Sequence, residues 1–182
     1  MRSLRILIFS FLLLTILLPE NGLSQPWSVR SGMYIFTDNT ASEFYLLAPT
    51  VLGGFDVWKR SRLSMNLSTG LSFNSLKYDD HRHNLYMVPV NLLMVYDIPN
   101  PGAKVWPVAG SGICLTGKAD QNESFSKTHY SLSYGFLATA GIRIPLSKKL
   151  IFVFDLTYNL LIPPTSDEIN MSGMMVMVGL KW

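Results

Sequence analysis

The sequence predicts an all-β protein: an eight-stranded antiparallel up-and-down transmembrane β-barrel preceded by a cleavable signal peptide. Three observations predict this fold. The one long apolar run lies at the N-terminus. The rest of the chain alternates polar and apolar residues in segments separated by turn residues, which is the period of a β-strand. Charged residues make up 15% of the 182 residues and hydrophobic residues 48%, whereas soluble domains carry roughly 25% charged residues.

The N-terminal segment has the order of features found in secretory signal peptides. Two arginines precede the apolar run Ile6–Leu18, and small residues follow it in Gly22-Leu23-Ser24. The run is too short to cross a bilayer as a helix, and small residues of this kind mark a cleavage site. We therefore predict a signal peptide over residues 1–24 and a barrel domain over residues 25–182.

Charge and cysteine content exclude several classes of function. The net charge of +3 is too small for a nucleic-acid-binding surface, so no nucleic-acid partner is expected. The single cysteine, Cys114, cannot form an internal disulfide and is predicted to act as a small apolar group. No glycine-rich phosphate loop, His-Glu-x-x-His motif or cysteine pair is present, so no cofactor is expected.

Eight segments carry the strand pattern, and several separate a polar face from an apolar face. In the seventh segment, for example, Leu156 and Leu160 alternate with Asp155 and Asn159. The second and fifth segments are ambiguous, and their register stays open. The segments are Trp27–Thr37, Tyr45–Trp58, Arg62–Lys77, Asn84–Asp97, Ala103–Gly117, Thr128–Leu146, Lys149–Leu161 and Met171–Trp182.

The connections between these segments alternate in length, which is typical of up-and-down membrane barrels. Turns at 59–61, 98–102 and 147–148 are short, whereas connections at 38–44, 78–83, 118–127 and 162–170 are longer. Most acidic residues fall in or beside the long connections, and many basic residues fall at the short-turn end. We therefore expect long, acidic extracellular loops.

Aromatic residues are predicted to form two belts at the membrane surfaces, where amphipathic rings favour the headgroup level. The belt at the short-turn end comprises Trp27, Trp58, Tyr96, Trp106 and Trp182. The belt at the long-loop end comprises Tyr34, Tyr45, Tyr78, Tyr86, Tyr130 and Tyr158.

An eight-stranded barrel is narrow enough for side chains to fill its interior. The alternation places polar residues in this lumen, where Asp155 is predicted to pair with Arg143, Arg30 or Lys181 because an unpaired buried charge costs several kcal/mol. The predicted polar plug comprises Arg30, Asn66, Asn91, Arg143, Asp155, Asn159 and Lys181.

The last predicted strand ends on an aromatic residue. Val178, Leu180 and Trp182 lie two residues apart on its apolar face. This ending is similar to the C-terminal signal of bacterial outer-membrane barrels, and the similarity implies that the barrel-assembly machinery is a partner during biogenesis.

The segment Tyr86-Met87-Val88-Pro89-Val90-Asn91-Leu92-Leu93 and the segment Ala109-Gly110-Ser111-Gly112 resemble strands of the PorT-like and OmpA-like outer-membrane β-barrel families of Gram-negative bacteria. The resemblance spans the chain after residue 24. It implies an outer-membrane location and a non-enzymatic role. Met87 replaces the acid usual in the family's strand, so any role of that carboxylate does not transfer to this chain.

Two clusters carry residues capable of chemistry. The segment Asp79-Asp80-His81-Arg82-His83 is interpreted as a solvated loop tip, because two histidines flanking an arginine are poor ligands for a closed metal site. His129 and Ser131 are similar to the His-x-Ser of outer-membrane lipid A deacylases, with Ser131 as nucleophile and His129 as base. No acid is evident to orient His129, and both residues are predicted to face the lumen, away from lipid.

We therefore expect an integral outer-membrane β-barrel of the cell envelope without catalysis, with a structural or surface-interaction role through its loops. Its expected partners are outer-membrane lipids, lipopolysaccharide and an envelope protein whose identity the sequence leaves open. The alternative is an exported lipocalin-like barrel that binds a small hydrophobic ligand, and the remote alternative is the deacylase. A lipocalin-like barrel would turn the apolar faces inward.

Overall fold

The structure is a computed structural model that describes residues 26–78, 81–102, 104–122, 127–163, 165 and 168–182. The predicted signal peptide lies outside the described residues. Within them, eight antiparallel strands form one closed barrel in chain order, and the last strand pairs with the first. The strands are β1 (Trp27–Phe36), β2 (Leu47–Arg60), β3 (Leu63–Tyr78), β4 (His81–Asp97), β5 (Trp106–Asn122), β6 (Lys127–Pro145), β7 (Ile151–Ile162) and β8 (Gly173–Lys181).

The prediction of eight strands in an up-and-down barrel is confirmed, but several strand bounds differ. At the long-loop end β3 to β7 extend further than predicted, whereas β1, β2 and β8 are shorter there. The predicted short turn at 98–102 extends over residues 98–105, because β5 begins at Trp106. β4 begins at His81 rather than Asn84, and β5 continues to Asn122 rather than ending at Gly117. These extensions pair with neighbouring strands, as in the pairing of His83 with Asn122, so their backbone groups remain satisfied. The predicted long loops at 78–83 and 118–127 are therefore shorter than expected.

A short helix, α1 (Asn39–Tyr45), occupies the connection between β1 and β2, where the sequence was interpreted as a loop. Asp38 caps it, because its side chain accepts hydrogen bonds from the backbone nitrogens of Thr40 and Ala41. Ala41 and Tyr45, four residues apart, are buried on one face. Seven residues are too few to display a helical period, and α1 is neither long nor apolar enough to cross a membrane.

The outer wall of the barrel is apolar and the inner wall carries most of the polar side chains. On β6, Tyr134 is 57% exposed and Phe136 is 59% exposed, while Ser133 before them and Thr139 after them are buried. The same alternation continues around the other strands. A large continuous apolar surface on a closed fold indicates contact with lipid or with another apolar surface.

A β-bulge settles the register of β2, which the sequence left open. The pairing of β2 with β3 shifts between Asp56 and Trp58. Val57 and Trp58 are consequently both exposed on the outer wall, whereas Asp56 is buried in the lumen. The bulge therefore brings into the lumen a carboxylate that was not among the predicted plug residues.

Candidate functional site: the lumen and its two ends

A continuous chain of ion pairs and hydrogen bonds crosses the lumen near the short-turn end. It begins on β6, passes through β7, β1, β3 and β2, and ends on β8. We call this chain the lumen network. Its members, in order of contact, are Arg143, Asp155, Arg30, Asn66, Asp56 and Lys181.

Asp155 joins two arginines in this network. Arg143 Nη1 donates to Asp155 Oδ1 at 2.6 Å, and Arg30 Nη1 donates to Asp155 Oδ2 at 3.2 Å. The Asp155 side chain is 2% exposed. Both carboxylate oxygens therefore have a cationic partner, as a buried charge requires.

Asn66 connects the first half of the lumen network to a second ion pair. Arg30 Nη2 donates to Asn66 Oδ1, and Asn66 Nδ2 donates to Asp56 Oδ1, each at 3.2 Å. Lys181 Nζ donates to the other oxygen of Asp56 at 2.6 Å. Lys181 thus pairs with Asp56 and not with Asp155. Three cations and two carboxylates leave the network with one net positive charge.

Two further residues of the predicted plug, Asn91 and Asn159, lie in the lumen but outside this network. Both are buried, and the Oδ1 atom of each has no hydrogen-bond partner among the described residues. The Nε atom of Arg30 also lacks one within the same part of the chain. A buried polar atom without a partner costs about 1–3 kcal/mol, so the described side chains satisfy the plug incompletely.

A cavity of about 100 Å³ lies beside the lumen network at the short-turn end. Network members line it together with Lys59, Asp97 and Trp106. Pockets that bind drug-sized ligands measure roughly 300–1,000 Å³. The cavity is therefore too small to hold such a ligand.

The rest of the lumen is more apolar than predicted. Met87, which replaces the acid usual in the families that the chain resembles, is buried and faces the lumen. Thr50 and Ser72 form a buried hydroxyl pair at 2.7 Å. The plug therefore combines a polar layer at the short-turn end with packed apolar side chains elsewhere. Buried apolar lumen residues include Leu52, Leu85, Met87, Cys114, Leu137, Met175 and Met177.

Helix α1 covers part of the long-loop end of the lumen, where it packs against β1 and β3. Tyr45 Oη donates to Asp120 Oδ2 at 2.9 Å, and the Tyr45 carbonyl accepts a hydrogen bond from Asn74 Nδ2 at 2.6 Å. Burial, followed by the charge and the hydrogen bond of Asp120, raises the pKa of the Tyr45 phenol above its ordinary value. Tyr45 therefore remains a neutral hydrogen-bond donor at ordinary pH.

The tyrosine belt predicted at the long-loop end is partly wrong. Tyr34 and Tyr45 are buried inside, and the rings of both lie within 6 Å of Phe36. Their positions near the long-loop end were inferred correctly. Tyr34 faces inward because of its register in β1, and Tyr45 is not in a strand but at the end of α1. Tyr86, Tyr130 and Tyr158 do face outward, and the side chain of Tyr78 lies outside the described residues.

All five residues predicted for the short-turn belt are between 39% and 53% exposed. They are Trp27, Trp58, Tyr96, Trp106 and Trp182.

The predicted C-terminal signal residues Val178, Leu180 and Trp182 are exposed on the outer face of the barrel. The backbones of Trp27 and Trp182 exchange two hydrogen bonds of 2.8 and 2.9 Å. The last strand therefore completes the barrel. Recognition of these side chains by the assembly machinery stays a prediction.

The His129–Ser131 pair lies at the long-loop rim of β6. His129 is exposed, and the Ser131 Oγ atom is buried without a hydrogen-bond partner among the described residues. The sequence revealed no acid near His129, yet Asp120 on β5 is its direct cross-strand neighbour. Asp120 was assigned to a loop, which concealed this register. The Asp120 carboxylate hydrogen-bonds to Tyr45.

The histidine cluster of the sequence analysis lies at the start of β4 rather than in a loop. His83 is half-buried, whereas the side chains of His81 and Arg82 and the residues Asp79 and Asp80 lie outside the described part. Within that part, no group of three His, Cys, Asp or Glu side chains is arranged to hold a metal ion.

The acidic residues of the long-loop end are only partly described. Asp38 caps α1, Glu43 is exposed on it, and Glu168 forms an ion pair of 3.6 Å with Lys118 in the lumen. Glu123 and Asp167 lie outside the described residues.

No protein-family model matches the chain, and no curated protein sequence matches it significantly. Solved structures do match it. Neisserial surface protein A has 12% identity and a TM-score of 0.62, with 86% of this chain and 94% of that chain covered. A major outer membrane protein from Thermus thermophilus has 12% identity and a TM-score of 0.58, with 88% and 99% covered.

A third similar structure is Ail, the attachment invasion locus protein of Yersinia pestis, in complex with the heparin analogue sucrose octasulfate. It has 10% identity and a TM-score of 0.55, with 88% of this chain and 100% of that chain covered. At these identities the similarity is one of fold. The chain is an eight-stranded up-and-down β-barrel of the outer-membrane type.

Proposed function

We propose that this chain is an integral outer-membrane protein whose lumen is filled by its own side chains, and that it acts as a structural or surface-interaction element without catalysis. The observation that carries the proposal is the apolar outer wall around a lumen crossed by an ion-paired network. Such a wall is stable in lipid, where the closed ring of strands also satisfies every backbone hydrogen bond. The soluble lipocalin-like alternative requires the opposite arrangement of faces.

The barrel's orientation is inferred from its two longest connections, 37–46 and 163–172, which both lie at the end bearing α1. The short-turn end, where Trp27 and Trp182 meet, faces the periplasm, and the end bearing α1 faces outward. Acidic residues outnumber basic residues in the sequence of the outer end. Sucrose octasulfate, the ligand of Ail, is a polyanion, and an acidic end does not suit a ligand of that charge. We infer that the loops contact lipopolysaccharide through bridging divalent cations or contact a cationic envelope protein.

Membrane fractionation followed by comparison of unheated and boiled samples on a gel tests this proposal. The protein is expected in the outer-membrane fraction and is expected to migrate faster before boiling, because a folded barrel is compact. A protein found in the soluble periplasmic fraction would contradict the proposal.

The deacylase alternative has one observation in its favour, the position of Asp120 opposite His129. Its proposed nucleophile, Ser131, is on the lumen-facing side of β6, where acyl chains in the bilayer have no access. We expect the mass of lipid A to remain unchanged when the protein is expressed. Catalysis would be established instead if lipid A lost one acyl chain when the protein was expressed and lost none when a Ser131→Ala variant was expressed.

A further inference from the structure

The short turns carry a set of exposed basic side chains, which we call the basic collar. Each of the three short connections between the described strands contributes at least one of them, so the charges are distributed around the rim. The basic collar comprises Lys59, Arg60, Arg62, Lys104, Lys148 and Lys149.

The six cations of the basic collar are not balanced by the described acids at this end of the barrel. None of its side chains forms an ion pair with a described residue. The acids that line the lumen cavity at this end are Asp56, Asp97 and Asp155. Asp56 and Asp155 are paired with cations of the lumen network. Asp97 lies beside Arg62 and is one carboxylate against the six cations of the collar. The positive charge of the collar is therefore available to bind anionic groups outside the barrel.

The position of the basic collar identifies those surroundings. Lys59 follows Trp58 directly, and Lys104 lies two residues before Trp106, so the collar adjoins the exposed tryptophan belt. Tryptophan side chains concentrate at the level of lipid headgroups. Apolar side chains are exposed on the same turns, and Leu146, beside Lys148, is 57% exposed. Neighbouring apolar and basic side chains suit the boundary between acyl chains and phosphates.

We propose that the basic collar binds the phosphates of anionic phospholipids in the periplasmic leaflet of the outer membrane. The proposal rests on the proposed function, because it requires the barrel to span that membrane with its short turns in the periplasm. It adds a lipid class and a leaflet. Basic residues near an anionic membrane surface each strengthen binding by roughly fivefold, and the effect is screened by salt.

Lipid selectivity of the whole barrel, measured by electron paramagnetic resonance, tests the proposal. The protein is reconstituted in phosphatidylcholine vesicles that contain a trace of spin-labelled phosphatidylglycerol or, in a parallel sample, spin-labelled phosphatidylcholine. The motionally restricted fraction reports lipid at the protein surface. We expect a preference of about fivefold for phosphatidylglycerol at low salt and a decline toward equal association at high salt.

A matched pair of variants locates the effect. Neutralising half of the collar by Arg62→Gln, Lys148→Gln and Lys149→Gln is expected to lower the preference for phosphatidylglycerol clearly. The control variant carries Gln in place of Lys77, Arg82 and Lys127, at the opposite ends of the strands. It changes the total charge by the same amount and is expected to preserve the lipid preference. Faster migration before boiling verifies that each variant is folded, and the salt titration of the unmodified protein requires no variant.

Failure of the proposed function and failure of the lipid assignment give different results. If the unmodified protein does not float with the vesicles, the proposed function itself is wrong. If it floats but associates equally with both lipids, the lipid assignment of the collar is overturned, and an acidic periplasmic macromolecule becomes the partner to seek. Equal loss of preference in both variants would also overturn it.

Discussion

Asp155 is the residue on which the lumen network depends most, because Arg30 and Arg143 both pair with its carboxylate. The Asp155→Asn change would leave two buried guanidinium groups with a neutral partner. Breaking a buried ion pair by removing one member costs about 3–5 kcal/mol. We expect the variant barrel in lipid vesicles to unfold at a clearly lower urea concentration than the unmodified protein.

The matched control for this prediction is Asp97→Asn. Asp97 lines the same cavity but forms no ion pair with a described residue, so its neutralisation is expected to have little effect on the urea midpoint. Equal midpoints for Asp155→Asn and the unmodified protein would show that the ion pairs contribute nothing to stability.

Gly70 shows how closely two strands approach each other. A Cβ atom built on Gly70 would overlap the backbone carbonyl of Val51 on β2, whereas one built on Gly53 meets nothing within 4 Å. We expect Gly70→Ala to destabilise the barrel by about 1–3 kcal/mol through overpacking and Gly53→Ala to be tolerated. The midpoints of urea unfolding for the two variants provide the comparison, and equal midpoints would contradict the predicted steric conflict.

The strands demonstrate what a period of two reveals and what it conceals. Alternation along β3, β6 and β7 was sufficient to identify their inner and outer faces, because every second side chain shares a face. In β2 the bulge at Val57 interrupts that period, so Asp56 was missed. Tyr34 was misplaced for a related reason: a tyrosine suits either a belt or a packed lumen, and the contacts of its ring decide between them.

The sequence was also insufficient to predict which charged residues pair with each other. The sequence identified Arg30, Arg143 and Lys181 as lumen cations, but the choice among partners depends on the stagger between strands that are distant in the chain. Lys181 on β8 reaches Asp56 on β2 across the lumen. No local pattern encodes that distance.

Helix α1 is connected to β5 by the hydrogen bond from Tyr45 to Asp120. Tyr45→Phe retains the ring that packs against Phe36 but removes the hydrogen bond to Asp120. We expect a loss of about 1 kcal/mol and faster amide hydrogen exchange over residues 39–45. Glu43→Gln, on the exposed side of the helix, is the control. Unchanged exchange in Tyr45→Phe would mean that the hydrogen bond does not hold α1 in place.

The pH dependence of α1 has a definite sign. The pKa of Tyr45 is raised in the fold by burial and by Asp120, so the folded protein holds the phenolic proton more tightly than the unfolded chain does. Its stabilising contribution is present below the unfolded pKa of about 10 and is lost as the pH rises above that value. We expect exchange over residues 39–45 to accelerate beyond its normal pH dependence only above a pH of about 10, and Tyr45→Phe to lack this acceleration. Acceleration near neutral pH would contradict the assignment.

The whole barrel is a cylinder in which ordinary burial is inverted: apolar side chains cover the outside and charges cross the inside. This arrangement makes the fold predictable from the alternation of polar and apolar residues and from the positions of the tryptophans. The sequence did not reveal how many packed apolar residues share the lumen, because Met87 and Leu137 resemble lipid-facing residues in composition.

Spin-label accessibility along β7 tests this inversion directly. Single cysteines are introduced from Val153 to Leu160 in a Cys114→Ala background, labelled, and reconstituted in vesicles. We expect oxygen, which concentrates in lipid, to reach labels at Leu156, Tyr158 and Leu160 and to be excluded at Asp155, Thr157 and Asn159. Maxima at the second set, or no period of two, would contradict a barrel that presents its apolar wall to the membrane.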